Sequence, residues 1–187
     1  MAAIEPVVLA TERLLLRPLQ AGDATALFAL FSHPEVMRFW SFVAWTGMEQ
    51  ADDYIANAAE GMASGACLRL GITLAGSGEL IGQAALYKFD QGNRRCDVGY
   101  ALGRAHWGSG YLAEAMEALL GHGFDALNLN RVEADIDPRN GASAKALERM
   151  GFRVEGLLRE RWIVAGEVSD TAFYGLLRSD WNARGRR

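Results

Sequence analysis

A chain of 187 residues, half of them hydrophobic and 22% charged, has the length and composition of one α/β domain with a buried core. Its net charge of −4 argues against non-specific nucleic-acid binding, and no apolar run is long enough to span a bilayer. Met1 to Val8 lacks the basic stretch and apolar core of a secretory signal, and Cys67 and Cys96 lie in strand-like runs as expected for buried free thiols, so a cytoplasmic setting is expected.

In chain order, Glu12 to Leu19 alternates and reads as a strand. Asp23 reads as the N-cap of a helix from Ala24 to Phe31, which His33-Pro34 ends. Met37 to Trp45 is irregular and aromatic, with Phe39, Trp40, Phe42 and Trp45. Met48 to Met62 has helical spacing. Cys67 to Leu74 and Glu79 to Phe89 read as a hairpin turning at Ala75-Gly76-Ser77-Gly78, and Arg95 to Leu102 as a further strand. Leu112 to Phe124 places Leu112, Ala115, Leu119 and Leu120 on one helical face. Arg131 to Ile136 is a strand, and Pro138 and Gly141 mark a loop before a helix from Ala142 to Met150, with Gly151 beyond its end. Arg153 to Val164 and Glu167 to Arg178 form a hairpin across Ala165-Gly166, and Asn182 to Arg187 reads as a frayed tail.

The segment from Arg104 to Ala115 says most about function. It joins the strand Val98 to Leu102 to a helix through a Gly-rich turn, which aims backbone N–H groups and the positive end of a helix dipole at one spot. That is an anion site, although Gly108 and Gly110 alone are also compatible with a plain connection. A P-loop lysine and a dinucleotide-binding GxGxxG are both absent, so the phosphate ligand belongs to neither class. The three histidines, His33, His106 and His122, form no metal-ligand spacing with the cysteines.

Two motifs, W-G-x-G-Y over Trp107 to Tyr111 and N-x-x-S-x-x-x-L-x-x-x-G-F over Asn140 to Phe152, resemble the acetyl-CoA-binding core of the GCN5-related N-acetyltransferase (GNAT) family. The segments Thr11 to Arg17, Asp97 to Tyr100, Gly156 to Glu160 and Asp170 to Tyr174 resemble its ribosomal-protein alanine and serine N-acetyltransferase branch. The resemblance implies an α/β fold with a mixed, largely antiparallel sheet, helices on both faces and strands splayed at the acetyl-CoA site. It covers residues 1–187 as a single domain, with a core of about 10–178.

It also implies roles. The backbone of Trp107, Gly108, Ser109, Gly110, Tyr111 and Leu112 would cradle the pyrophosphate of coenzyme A. Tyr100, Ala101 and Leu102 would offer a free strand edge to the pantetheine arm, and an N–H at Tyr100 or Ala101 would polarise the thioester carbonyl. Asn140 and Lys145 would contact coenzyme A, and Arg104, Arg139 and Arg149 are further phosphate candidates, with solvated surface charge as the alternative. Leu112 stands where a small residue is usual, Arg104 where proline is frequent, and Asp97 where glutamate is usual.

Amine acetylation needs a neutral amine and a hydrogen-bond donor for the departing thiolate. Ser143 is the candidate donor, or else a helix-start serine bonded to its own backbone. Leucine at position 147 cannot donate, which shifts weight to Ser143. Asp97 is the candidate base, directly or through water, or else a carboxylate bound to nearby backbone. The aromatic stretch would flank the acceptor cleft or pack as core. The expected activity is acetyl transfer to a protein or peptide N-terminal α-amine. The alternatives are a small-molecule amine as acceptor, or a non-catalytic acyl-CoA-sensing module. A homodimer is expected by analogy with the branch.

Overall fold

The computed structural model describes residues 3–184. Its strands are β1 (Leu9–Ala10), β2 (Leu14–Pro18), β3 (Cys67–Leu74), β4 (Leu80–Asp90), β5 (Arg95–Leu102), β6 (Arg131–Ile136), β7 (Arg153–Val164) and β8 (Glu167–Leu177). Its helices are α1 (Ala24–Phe31), α2 (Pro34–Met37), α3 (Glu49–Ser64), α4 (Tyr111–Asp125), α5 (Gly141–Arg149) and α6 (Arg178–Arg184). One eight-stranded sheet runs β1-β2-β3-β4-β5-β6-β8-β7. Every neighbouring pair is antiparallel except β5 and β6, which run parallel. The β5–β6 crossover passes through α4, as a parallel connection requires.

Strand alternation sorts the core into two layers. Leu68, Leu70, Ile72, Ala84, Leu86, Cys96 and Val98 point to one face and pack with Ala115, Met116, Leu119, Leu120 and Phe124 of α4. Each large side chain on that apolar stripe contributes about 1.5–3 kcal/mol on burial. The opposite face is covered by a second cluster built on Leu27, Leu30 and Phe31 of α1, Met37 of α2, Ala51 of α3 and Trp45. We call these the α4 face and the α1 face.

Three local expectations change. Asp23 makes no side-chain cap to α1. Its carboxylate instead takes both guanidinium nitrogens of Arg17 at 2.8 Å and the backbone N–H of Gln20 at 2.8 Å, because a buried carboxylate gains more from an ion pair than from one amide. The segment from Asn182 to Arg184 is helical rather than frayed. Trp181 anchors α6 by stacking on Phe124 at 5.4 Å. Residues 185–187 of the expected tail lie outside the described residues. The aromatic stretch divides. Trp45 is buried and packs against Phe31 at 4.6 Å, whereas Phe39 faces the Arg139 guanidinium across 5.9 Å. Cys67 and Cys96 are buried free thiols. Among the described residues no helix is long and apolar enough to cross a membrane.

Candidate active site at the split between β5 and β6

The parallel pair is short. β5 meets β6 only at Arg95↔Arg131, Cys96↔Val132 and Asp97↔Glu133. Beyond Asp97, β5 stays with β4 up to Leu102↔Gly82, and β6 stays with β8 up to Ile136↔Ala172. The sheet therefore opens from Val98 onward. Hydrogen-bond phase decides which groups face the opening. Gly103 donates its N–H to Ile81 O at 2.8 Å, so by alternation Ala101 and Gly99 spend their backbone groups on β4. Tyr100 and Leu102 turn theirs outward. Of the two candidate N–H groups, that of Tyr100 faces the opening and that of Ala101 faces β4. The Leu102 carbonyl already accepts the Trp107 indole N–H at 2.7 Å.

Above the opening lies the Gly-rich turn. Gly108 and Gly110 have φ of 74° and 80°, left-handed values that an L side chain adopts at a cost. Gly110 is the N-cap of α4 and offers no side chain to its first turn, so the N–H groups of Tyr111, Leu112 and Ala113 have no partner within the helix. A Cβ at Gly108 would meet nothing within 4 Å, so the mouth of the turn is open. Leu112 packs into the core on the α4 face, leaving that mouth clear.

A residue from the far end of the chain completes the turn. Arg13 donates to Ser109 O at 3.0 Å, pairs with Glu114 at 2.7 Å and stacks over the Tyr111 ring at 4.6 Å. Glu114 would otherwise place a negative charge near the start of α4. Burial pushes its carboxyl up, but hydrogen bonds from Thr11 and Arg13 outweigh that and hold it below its ordinary value as a neutralised anion. Two candidate phosphate ligands are otherwise engaged. Arg104 pairs with Glu35 at 2.9 Å and stacks on Trp107, and Arg139 pairs with Asp137 and Glu167. Lys145 and Arg149 are exposed on α5.

On the α4 face of the opening, the Tyr100 phenol and Ser143 Oγ lie 2.7 Å apart. Asn140 caps α5 by accepting the Ser143 N–H at 3.1 Å, which fixes the serine in the first turn. Burial pushes the Tyr100 phenol up to about 12, so it holds its proton, and either hydroxyl can donate to the other. With the phenol donating, the serine proton is free for another acceptor.

Asp97 points the other way. Registered neighbours share a face, and Asp97 lies beside Tyr87 on the α1 face. Its carboxylate accepts Lys88 Nζ at 2.8 Å rather than a backbone N–H. Burial, then the charges of Asp135 and Asp97, push the Tyr87 phenol above its ordinary value, so it too stays neutral. None of the three histidines joins this group. His33 caps α2, His106 stands beside Tyr111 and Glu79, and His122 lies near the C-terminal end of α4.

Residues 13–153 match the acetyltransferase (GNAT) domain model. The chain belongs to the GNAT acetyltransferase family. It is 38% identical over 171 residues to an uncharacterized N-acetyltransferase, p20, of Bacillus licheniformis, covering 91% of this chain and 96% of that one. Its fold resembles Mycobacterium smegmatis RimJ in complex with CoA-disulfide, with a TM-score of 0.86 at 23% identity over 100% and 98% of the two chains. It also resembles Vibrio cholerae spermidine N-acetyltransferase in complex with CoA and spermine, with a TM-score of 0.81 at 22% identity over 92% and 99%.

This GNAT protein is an acetyltransferase whose donor is acetyl-CoA. The chain fits that donor on its own evidence. The first turn of α4 is uncapped, Gly108 faces open space, and the edge of β5 is free where the sheet opens. Sequence reasoning quoted the Thr11 to Arg17 segment only as a strand. Arg13 itself was missed, because nothing local to it points to a turn nearly a hundred residues away.

Proposed function

We propose that this acetyltransferase modifies the N-terminal α-amine of a peptide or protein. One observation carries the choice of amine. The only carboxylate that the resemblance offers as a base, Asp97, is held by Lys88 at 2.8 Å, and no imidazole lines the opening among the described residues. An acceptor that is neutral without help suits such a site. A peptide α-amine titrates at about 7.7–8.0, whereas an alkylamine titrates at about 10.4 and would stay protonated.

The residues divide the work. The α4 N-terminus and the turn from Trp107 to Leu112 would hold the pyrophosphate, with Arg13 neutralising Glu114 and bracing the turn at Ser109. The outward edge of Tyr100 and Leu102 would align the pantetheine arm, and the outward Tyr100 N–H would be the donor to the thioester carbonyl. When bound, acetyl-CoA supplies the acetyl group and a thiolate leaving group. Ser143 would hydrogen-bond the departing sulfur, which leaves as a thiolate and takes its proton from solvent, while Tyr100 holds the serine oxygen in place. Asp97 attracts the amine, and the amine's surplus proton leaves to water. A second copy of the chain would cover Leu157, Ile163 and Val168, which stand exposed on the β7–β8 hairpin.

Thiol release from acetyl-CoA tests this with short peptides varied at the first residue, beside polyamines and free amino acids. Turnover of peptides with alanine or serine first supports the reading. Turnover of alkylamines alone overturns it.

A further inference from the structure

Lys88 has no task of its own in the chemistry above, yet the chain bends to place it. It lies inside β4 but has a φ of 53°, a left-handed backbone that a lysine adopts at a cost. Alternation from Tyr87 would turn its side chain toward the α4 face. The shift of register between Tyr87 and Asp90 turns it back, as a bulge beside a site re-aims a side chain. Its ammonium reaches Asp97 Oδ2 at 2.8 Å and stands 5.3 Å from the centre of the Tyr87 ring. The Lys88 side chain is 60% exposed and that of Asp97 17%. An ion pair so open to water contributes little to stability, so stability alone does not account for the bent backbone.

Asp97 is the last residue at which β5 touches β6, so this pair stands where the sheet starts to open. Lys88 covers one carboxylate oxygen. Among the described residues nothing donates to the other, Oδ1. The neighbouring charges do not replace Lys88. In the same row, Glu133 is held by Arg95 at 2.8 Å and by Arg131 at 2.7 Å, and Arg95 also reaches Asp90 at 3.3 Å. Asp135, two residues further along β6 on the same face, has no ion-pair partner among the described residues. Its charge and that of Asp97 both act on the Tyr87 phenol. Without Lys88, the two strands that part here would carry two uncompensated carboxylates.

We infer that Lys88 is a specificity-determining residue: its ammonium neutralises Asp97, so the site receives a neutral amine by a hydrogen bond to Oδ1 and gives no anionic hold to an ammonium. A peptide α-amine, titrating at about 7.7–8.0, meets that condition near neutrality, whereas an alkylamine at about 10.4 does not. The identity of the acceptor rests on the α-amine reading above; the selection by charge does not.

The experiment measures thiol release from acetyl-CoA with a peptide that starts with alanine and with a simple alkylamine. It compares the wild type, Lys88→Met, Lys88→Arg and the double variant Lys88→Met with Asp97→Asn. Lys88→Met is expected to raise the alkylamine-to-peptide ratio of kcat/KM by about 10-fold or more, the range of a hydrogen bond to a charged group. Lys88→Arg keeps the ratio near its wild-type value, and adding Asp97→Asn to Lys88→Met returns it there. The alkylamine's pH profile gives a second reading. In the wild type kcat/KM climbs toward the amine's own value of about 10.4. In Lys88→Met the climb starts at lower pH, because the carboxylate now holds the ammonium and accepts its proton. A ratio unmoved by Lys88→Met, or a rise that survives Asp97→Asn, overturns the inference. Wild-type turnover of alkylamines alone overturns the α-amine reading, and a rise in that turnover on Lys88→Met leaves the selection by charge standing.

Discussion

Successive residues of β5 point to opposite sides of the sheet, and the two sides differ in kind. Toward α4 and α5, Tyr100 meets Ser143 at 2.7 Å, a contact between two neutral hydroxyls. Toward α1 and α3, Asp97 meets Lys88 at 2.8 Å, a contact between two charges. The neutral pair keeps its protons across the working pH range, because burial raises the phenol to about 12. With Asp97 held by Lys88, the pH dependence of the reaction is expected to follow the acceptor amine. One strand thus turns Tyr100 toward Ser143 of α5 on one side and Asp97 toward Lys88 on the other.

The contrast breaks first at Ser143. Ser143→Ala is expected to lower kcat by about 100-fold or more, the scale of a lost hydrogen bond to developing negative charge. Steady-state kinetics at saturating acceptor and acetyl-CoA check it, and an unchanged kcat removes the donor role from the α4 face.

Charge on the α1 face also supports the fold, which Asp23→Asn sharpens. Burial pushes the Asp23 carboxyl up, but the Arg17 guanidinium and the Gln20 N–H hold it below its ordinary value. A depressed native pKa stabilises above the unfolded value of about 3.9 and loses that contribution as pH falls through the native one. Asp23→Asn should therefore cost about 2 kcal/mol at pH 7 in urea unfolding. The gap between the two proteins should close below about pH 4.

Tyr100→Phe is expected to lower kcat by about tenfold, the loss of one buried hydrogen bond that positions the serine. Added to Ser143→Ala it should cost little more, because the two hydroxyls act as a unit. Independent, multiplying effects would separate them.

The smallest effect is expected at Asp97. Asp97→Asn should lower kcat/KM a few-fold for a peptide acceptor. Both proteins should show kcat/KM rising with pH to a plateau near the amine's own value of about 8. Disappearance of that rise in the variant would make Asp97 the base and end the contrast between the faces.

Much of this arrangement was legible in the chain. The run from Arg95 to Leu102 alternates and forms β5 over those same residues. The Gly-rich turn read at Gly108 and Gly110 is present, with positive φ at both glycines. Asn140, the first residue of the second motif, caps α5. The partner of Asp97 was not legible. Lys88 should point to the α4 face by alternation, but the register shift between Tyr87 and Asp90, with Lys88 at φ 53°, brings it round to the carboxylate. Arg104 and Arg139 looked like phosphate ligands until Glu35, Asp137 and Glu167 were seen to hold them.

By itself the sequence determined the elements, the glycine-rich turn before α4 and the family chemistry. These rest on short-range physics: hydrophobic period, caps, and the backbone freedom of two glycines. The tertiary structure alone decided which polar groups meet. Tyr100 finds Ser143 across 43 positions, Arg13 reaches Ser109 across 96, and Arg69 meets the Tyr54 ring of α3. Strand order and register set those meetings. A shift of one residue in any pairing would exchange the faces, a difference that local sequence does not encode.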